Sequence, residues 1–244
     1  MNDEFYIGYD TEMPVQLAVR IRRVASGLVA LALVMPAVLV LTEDRFGPGR
    51  FEYGRVKTFS GRLVEFPYPA LIADDVAGAN REYWLVGPGK HGAEDVVRGR
   101  DGQRVRLSGS LIERDDDAMI EIVPDSLALS GTRDTSIELL RSLGTVVVEG
   151  EIVDSKCHLG VMKPGEGPTH RDCAVRCLLG RIPPMFVAHD RPELGRVPLV
   201  SDAGQPFADA DVFAGRRVSI RGEILRRGTQ EFLAVSQHDI RLID

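Results

Sequence analysis

The chain opens with a long uncharged apolar run and then settles into short alternating stretches. Val24 to Thr42, VASGLVALALVMPAVLVLT, carries no charge over 19 residues. At helical rise that is about 28 Å, close to the hydrocarbon thickness of a bilayer. Pro36 is tolerated in such a span. A core helix would show a polar face, and this run has none. The apolar region of a cleaved signal is usually shorter, and no A-x-A site closes the run. The pattern therefore predicts one retained transmembrane helix over 24–42. An amphipathic segment, 1–23, precedes it and ends in Arg20-Ile21-Arg22-Arg23. With arginines before the span and Glu43-Asp44 after it, the positive-inside rule places the N-terminus in the cytoplasm and the bulk outside. For a bacterial host this is a single-pass inner-membrane protein with a periplasmic C-terminal body.

After a Gly/Pro-containing tether over 43–53, apolar and polar residues alternate with the period of half-buried strands. Phe59 to Phe66, Tyr83 to Val86, Gln103 to Glu113 and Ala118 to Val123 read as strands. Pro67-Tyr68-Pro69, Gly87-Pro88-Gly89, Asp101-Gly102 and Asp115-Asp116-Asp117 read as the breaks between them. They form a first unit over 54–128. Residues 129–143 interrupt the alternation: Ile137, Leu139, Leu140 and Leu143 form a short helical stripe, so a connecting helix or linker is expected there. The β pattern restarts at Gly144 and runs to 244.

The second β stretch repeats the first. Gly61-Arg62-Leu63-Val64-Glu65 matches Gly150-Glu151-Ile152-Val153-Asp154 at an offset of 89. Gly109-Ser110-Leu111-Ile112 matches Gly222-Glu223-Ile224-Leu225 at 113, an offset Gly102 and Gly215 share. Tyr83-Trp84-Leu85-Val86 is set against Met185-Phe186-Val187-Ala188 at about 102. Three blocks in order point to internal duplication. The fold expected is mainly β: a transmembrane helix followed by two tandem OB-like small barrels. On these offsets the second copy gains 13 residues between its first two blocks and about 11 more after Ala188.

That gain holds the chemistry. All three cysteines and two of the five histidines fall within Cys157-His158 and His170-Arg171-Asp172-Cys173-Ala174-Val175-Arg176-Cys177. Thr169 followed by Asp172 resembles a capping box, so a short helix is expected from His170 to Gly180. His170, Cys173 and Cys177 then share one face, and Cys157, from the end of the preceding strand, can fold back against it. Cys157, His170, Cys173 and Cys177 are the candidate metal ligands, with His158 as a substitute. Three thiolates and an imidazole suit tetrahedral Zn²⁺, and soft sulfur also suits Cu(I) or an iron–sulfur centre. The spacing is not that of a zinc ribbon, and no C-x-x-C-H is present for haem attachment. Outside the cytoplasm a disulfide from Cys157 to Cys173 or Cys177, stapling the inserted loop, is an equal alternative. A reactive thiol at Cys173, in the first turn of its helix, is a third.

Charge narrows the partners. The formal net charge of −6, with no basic stripe interleaved with aromatics, argues against nucleic acid. His91 and Lys90 sit in a turn-rich Gly/Pro loop that reads as an exposed connection. His189 and His238 read as surface residues, Trp84 as core, and Asp115 to Asp117 as a hairpin tip. No catalytic carboxylate pair, Ser/His/Asp order or phosphate loop stands out, and the reading leans away from an enzyme. It favours a membrane-anchored binding or accessory module, a subunit of a membrane complex that moves electrons. A redox protein working through Cys157, Cys173 and Cys177 is the alternative.

Overall fold

The computed structural model describes residues 13–43, 49–74, 81–134 and 139–243. It divides into two units, 1–47 and 48–244. In the first, α1 (Val15–Glu43) is a single helix of 29 residues with Pro36 inside it. Its stretch Val15–Thr42 is long and apolar enough to cross a membrane, with a mean hydropathy of 2.6 and none of its most apolar window buried. The helix begins well before Val24. Val15 to Arg23 lack helix breakers, so the apolar run propagates its hydrogen bonding back through the arginines.

The second unit is two closed five-stranded barrels in tandem. The first uses β2 (Lys57–Val64), β3 (Ala70–Ala73), β4 (Glu82–Val86), β5 (Arg104–Arg114) and β6 (Asp117–Ile122). A short helix, α2 (Glu94–Val97), lies between β4 and β5. The strands close in the order β2-β3-β4-β6-β5-β2, antiparallel except for the parallel β4–β6 pair. The second uses β8 (Arg141–Asp154), β9 (Pro184–Ala188), β10 (Arg196–Ser201), β11 (Arg217–Arg227) and β12 (Gln230–Val235). It closes as β8-β9-β10-β12-β11-β8, again with one parallel pair, β10–β12. A meander of three strands, then a fourth returning beside the first, is compatible with an OB-like barrel. Short strands complete the edges: β1 (Arg50–Phe51) and β7 (Ala128–Leu129) on β5, and β13 (Ile240–Leu242) on β11.

Three details differ from the sequence reading. The tether joins the first barrel from Gly49 onward, because Arg50–Phe51 pairs with Glu113 and Ile112 and Glu52 N–H donates to Leu111. Among the described residues of 129–143 there is no helix; Ile137 lies outside them, and Arg141 to Leu143 already belong to β8. That strand starts early because its first half pairs with β11 as far as Arg141↔Arg226. Tyr83–Val86 and Met185–Ala188 are not equivalent: the former is a third strand, the latter a second.

Strand register shows why. Gly61 faces Val105 and Ala73, whereas Gly150 faces Val218 and Ala188. A Cβ at Gly61 would collide with the Ile72 carbonyl and one at Gly150 with the Val187 carbonyl, so the same close strand approach demands glycine in both barrels. The offset thus climbs from 89 at Gly61/Gly150 to 115 at Ala73/Ala188, then settles at 113 at Val105/Val218. The second barrel gains 26 residues between its first and second strands and is two residues shorter between its second and fourth. This agreement is compatible with duplication.

Each barrel has its own core, around Leu63, Leu85, Leu107 and Ile120 in one and Ile152, Phe186, Ile220 and Leu233 in the other. A third apolar cluster joins them: Trp84, Ile112 and Met119 pack with Val153, Leu159, Ile182, Met185, Cys157 and Cys177. The rim of this seam is reciprocal. Arg227, at the β11–β12 tip, pairs with Glu82, which opens the first barrel's third strand, at 2.5 Å. Arg196, which opens the second barrel's third strand, pairs with Asp115 and Asp117 at the β5–β6 tip, at 2.9 and 2.7 Å.

Candidate metal centre

The inserted segment is built from the end of β8, which is buried from Gly150 through Asp154. Asp154 ends the strand and caps the next turn: its Oδ1 accepts the Cys157 N–H at 2.8 Å. Short carboxylate side chains favour this role because they satisfy a helical N–H that has no partner of its own. The chain then closes a single wide turn, Cys157–Val161, of π-helical form. Cys157 and His158 therefore sit on a helical turn rather than on the strand. The loop returns over Gly167, whose N–H donates to Glu151 Oε1 at 2.6 Å. Helix α3 (Arg171–Leu179) comes next, with His170 as its N-cap and no side-chain capping bond there, so Thr169 does not play the capping role expected of it. His170 is turned inward instead, its Nε2 2.9 Å from Asp154 Oδ2. One carboxylate thus orients both cysteine-bearing elements.

The three sulfurs converge. Cys157 Sγ lies 3.9 Å from Cys173 Sγ and 3.9 Å from Cys177 Sγ. All three cysteines are free. A disulfide needs about 2.05 Å, so no staple is formed in this arrangement. A tetrahedral ion with bonds of about 2.3 Å would set its sulfurs about 3.8 Å apart, which these separations match. Among the described residues, two groups of side chains could hold a metal ion: Cys157, Cys173 and Cys177, and, sharing Cys157, Asp154, Cys157 and His170. His170 therefore adjoins the three sulfurs through Cys157 and Asp154. His158 is directed elsewhere: its Nε2 lies 3.1 Å from Arg114 and its Nδ1 3.4 Å from Glu166. Burial, with the charges of Arg114 and Arg196, pushes its pKa down to about 3, so it stays neutral.

The first barrel reaches the cluster through the loop after β4. Lys90 Nζ lies 2.8 Å from Cys173 Sγ, 3.5 Å from Cys177 Sγ and 3.3 Å from the Cys173 carbonyl. Lys156, from the second barrel, holds that loop: its buried Nζ donates to the carbonyls of Gly87 and Gly89 at 2.8 and 2.6 Å and pairs with Glu121 at 2.5 Å. The hydrogen bond between Cys157 and Cys177 raises the Cys157 thiol above its ordinary range, as do burial and the Asp154 charge. The same bond lowers Cys177 against its burial, with help from Lys90. Burial works against the Lys90 charge, but its bonds to Cys173 and Cys177 outweigh that and raise its pKa. A hydrogen bond to the charged form of a group favours that form.

Sequence reasoning found the three sulfurs and missed two residues that position them. Asp154 was legible as the polar residue at a strand end three positions before Cys157. Lys90 was not, because its loop belongs to the other barrel. It is half-buried, while His91, His189 and His238 are exposed and Trp84 is buried. Compared with family models, curated proteins and solved structures, the chain matches none, so the geometry alone carries the functional reading.

Proposed function

We propose that this chain is a membrane-anchored module whose paired barrels carry a metal centre held by Cys157, Cys173 and Cys177, with the body on the extracytoplasmic side. The observation that carries the reading is the convergence of three sulfurs, from a wide turn and a separate helix, at the spacing a single thiolate-bound ion requires. Thiolates also suit such an ion chemically, zinc or Cu(I) above harder cations. A lone anchor, two binding-sized barrels and a site set between them fit an accessory subunit docked on a larger membrane assembly, including one that moves electrons. His170, grouped with Cys157 and Asp154, is the imidazole that would fill a fourth position on release from Asp154.

The test is elemental analysis of the full chain purified from membranes without reductant under inert gas, beside a thiol count under denaturing, non-reducing conditions. One ion per chain, lost in Cys157→Ser, supports the centre. No metal, with one free thiol and one disulfide on denaturation, rejects it in favour of the staple. Orientation is tested separately: alkaline phosphatase fused after Thr42 should be active, and inactivity there would place the body in the cytoplasm.

One observation favours a second reading, that of a reactive thiol. Cys173 is the half-buried member of the trio and has an ammonium 2.8 Å from its sulfur, the electropositive, partly exposed surroundings in which reactive cysteines are found. Alkylation of the metal-free chain distinguishes the two: selective, fast modification of Cys173 in a chain isolated without metal supports thiol chemistry.

A further inference from the structure

The metal reading leaves Lys90 without a role, although its ammonium is set against two of the three sulfurs. We infer that Lys90 is the counter-cation of the thiolate centre, which therefore takes a divalent, borderline-soft cation and is complete only with a residue from each barrel. The inference rests on the metal reading above and adds the charge of the ion and the part played by the first barrel.

The charge count comes first. Metal-bound cysteines are thiolates, so three contribute three negative charges. A divalent ion leaves one, which Lys90 offsets. The fully buried Asp154 carboxylate beside Cys157 adds one negative charge whichever ion is bound. A monovalent ion such as Cu(I) leaves one more negative charge than a divalent ion does, in a site where Cys157 and Cys177 are 3% and 1% exposed. Uncompensated buried charge is costly, so the smaller residual charge favours the divalent ion.

The placement of Lys90 is held by backbone on both sides. Gly92 N–H donates to the Gly180 carbonyl at 2.8 Å, docking the loop on the end of α3. The Lys90 carbonyl lies so close to Gly180 that a Cβ there would collide with it. Lys156 grips the carbonyls of Gly87 and Gly89 on the other side. The loop is thus held at both ends of the short stretch that carries Lys90. A lysine serving only to fasten the loop would need no more than its bond to the Cys173 carbonyl. This one is nearer to the sulfur of Cys173 than to its carbonyl, at 2.8 against 3.3 Å.

The experiment uses the full chain in detergent, reduced and stripped of metal. Co²⁺ is titrated in and read from its sulfur-to-cobalt charge-transfer band, and Zn²⁺ then displaces it to give the zinc affinity. Wild type, Lys90→Met, Lys90→Gln and Lys90→Arg are compared, with the thermal midpoint of each metal-free chain as a folding control. The result expected is one ion per chain throughout, with zinc held about tenfold or more weaker in Lys90→Met and Lys90→Gln, the scale of a lost outer-shell partner, and largely restored in Lys90→Arg. Unchanged zinc affinity in Lys90→Met would overturn the inference and leave the metal centre standing. A weakening that tracks the metal-free midpoint, with no rescue by Lys90→Arg, would also overturn it, since that is a loop fastener's signature. Copper in place of a divalent ion in the chain as isolated would overturn the charge count. A wild-type chain that binds neither cobalt nor zinc would sink the metal reading itself.

Discussion

Lys90 and Cys173 belong to different barrels, yet the Lys90 ammonium lies 2.8 Å from the Cys173 sulfur. The contact places the thiol cluster at the seam between the barrels, beside the apolar cluster that Cys157 and Cys177 help to build. A bound ion there ties together the turn after β8, helix α3 and the loop after β4. Metal binding should therefore stabilise the whole body.

The size of that effect is set by mass action. Free zinc at about a hundred times its dissociation constant adds about 2.7 kcal/mol. For a body of this length each kcal/mol moves the thermal midpoint by about 2–4 °C. Adding a strong chelator to the metal-loaded, reduced chain should lower the midpoint by that product in wild type and leave Cys157→Ser unmoved. Equal midpoints with and without chelator in wild type would contradict the coupling.

The reciprocal rim of the seam makes a second expectation. Glu82 and Arg227 face each other with side chains 10% and 6% exposed, and Arg227 also donates to the Phe66 carbonyl. Removing one partner of a buried pair strands the other charge and costs about 3–5 kcal/mol. Glu82→Ala should lose stability on that scale in denaturant titration, and the double variant Glu82→Met, Arg227→Met should recover much of it. The Arg196 pairs with Asp115 and Asp117 are more exposed, at 20% for Arg196 and 53% and 28% for the aspartates. Arg196→Met should accordingly cost less than Glu82→Ala.

Much of this was legible in the sequence, and the limits have physical causes. Of the four strands read in the first barrel, Phe59–Phe66 and Gln103–Glu113 showed by alternation, while Tyr83–Val86 and Ala118–Val123 showed as short apolar runs between turns, since Trp84, Leu85 and Val86, like Met119 and Ile120, are buried on both faces. The equivalence of Gly61 with Gly150 showed because close strand approach leaves only glycine at both places. The third-strand match failed because Tyr83–Val86 and Met185–Ala188 are both short apolar runs, and such runs do not say which neighbours they pair with. The stripe at 137–143 misled because Leu139 and Leu143 are exposed, so their spacing reports no buried helical face. The cysteines were found because three thiols close in sequence are conspicuous, while Lys90 is brought to them only by the docking of two barrels.

Glu151 gives a pH dependence. It is 6% exposed at the base of the inserted loop, and its Oε1 accepts the Gly167 N–H at 2.6 Å. Burial raises its carboxyl pKa, and the charge of Glu166 adds to that; the Gly167 bond, His189 and His170 oppose it more weakly. A carboxyl raised on folding binds its proton more tightly in the folded chain. The contribution of Glu151 to stability is therefore greatest below the ordinary carboxylate range and falls as pH rises from that range through the raised folded value. Glu151→Gln keeps an acceptor for Gly167 and removes the charge. It should be more stable than wild type at neutral pH and converge with it in acid. A variant less stable than wild type at neutral pH would show that the charge is needed there.

Asp154 offers the most discriminating substitution, because its two oxygens do separable work. Oδ1 caps the turn that presents Cys157, and Oδ2 holds His170 at the start of the helix that presents Cys173 and Cys177. The side chain is fully buried, so neither oxygen can exchange its partner for water. Asp154→Ala leaves the Cys157 N–H and His170 Nε2 unsatisfied, at about 1–3 kcal/mol for each buried polar group. It should also separate the two cysteine-bearing elements. Asp154→Asn keeps an acceptor for the cap and loses the negative charge beside the sulfurs. Relative to wild type, Asp154→Ala should lose both stability and zinc affinity, whereas Asp154→Asn should keep most of the stability. The affinity of the Asn variant decides what His170 does. If His170 completes the metal's fourth position, weakening its tie to Asp154 leaves zinc affinity equal or higher. If the Asp154–His170 contact serves only to align α3, affinity falls with the contact, and His170→Phe reproduces the loss. Competition titration of zinc across these variants, with metal-free denaturant midpoints alongside, reads both quantities in the same preparations.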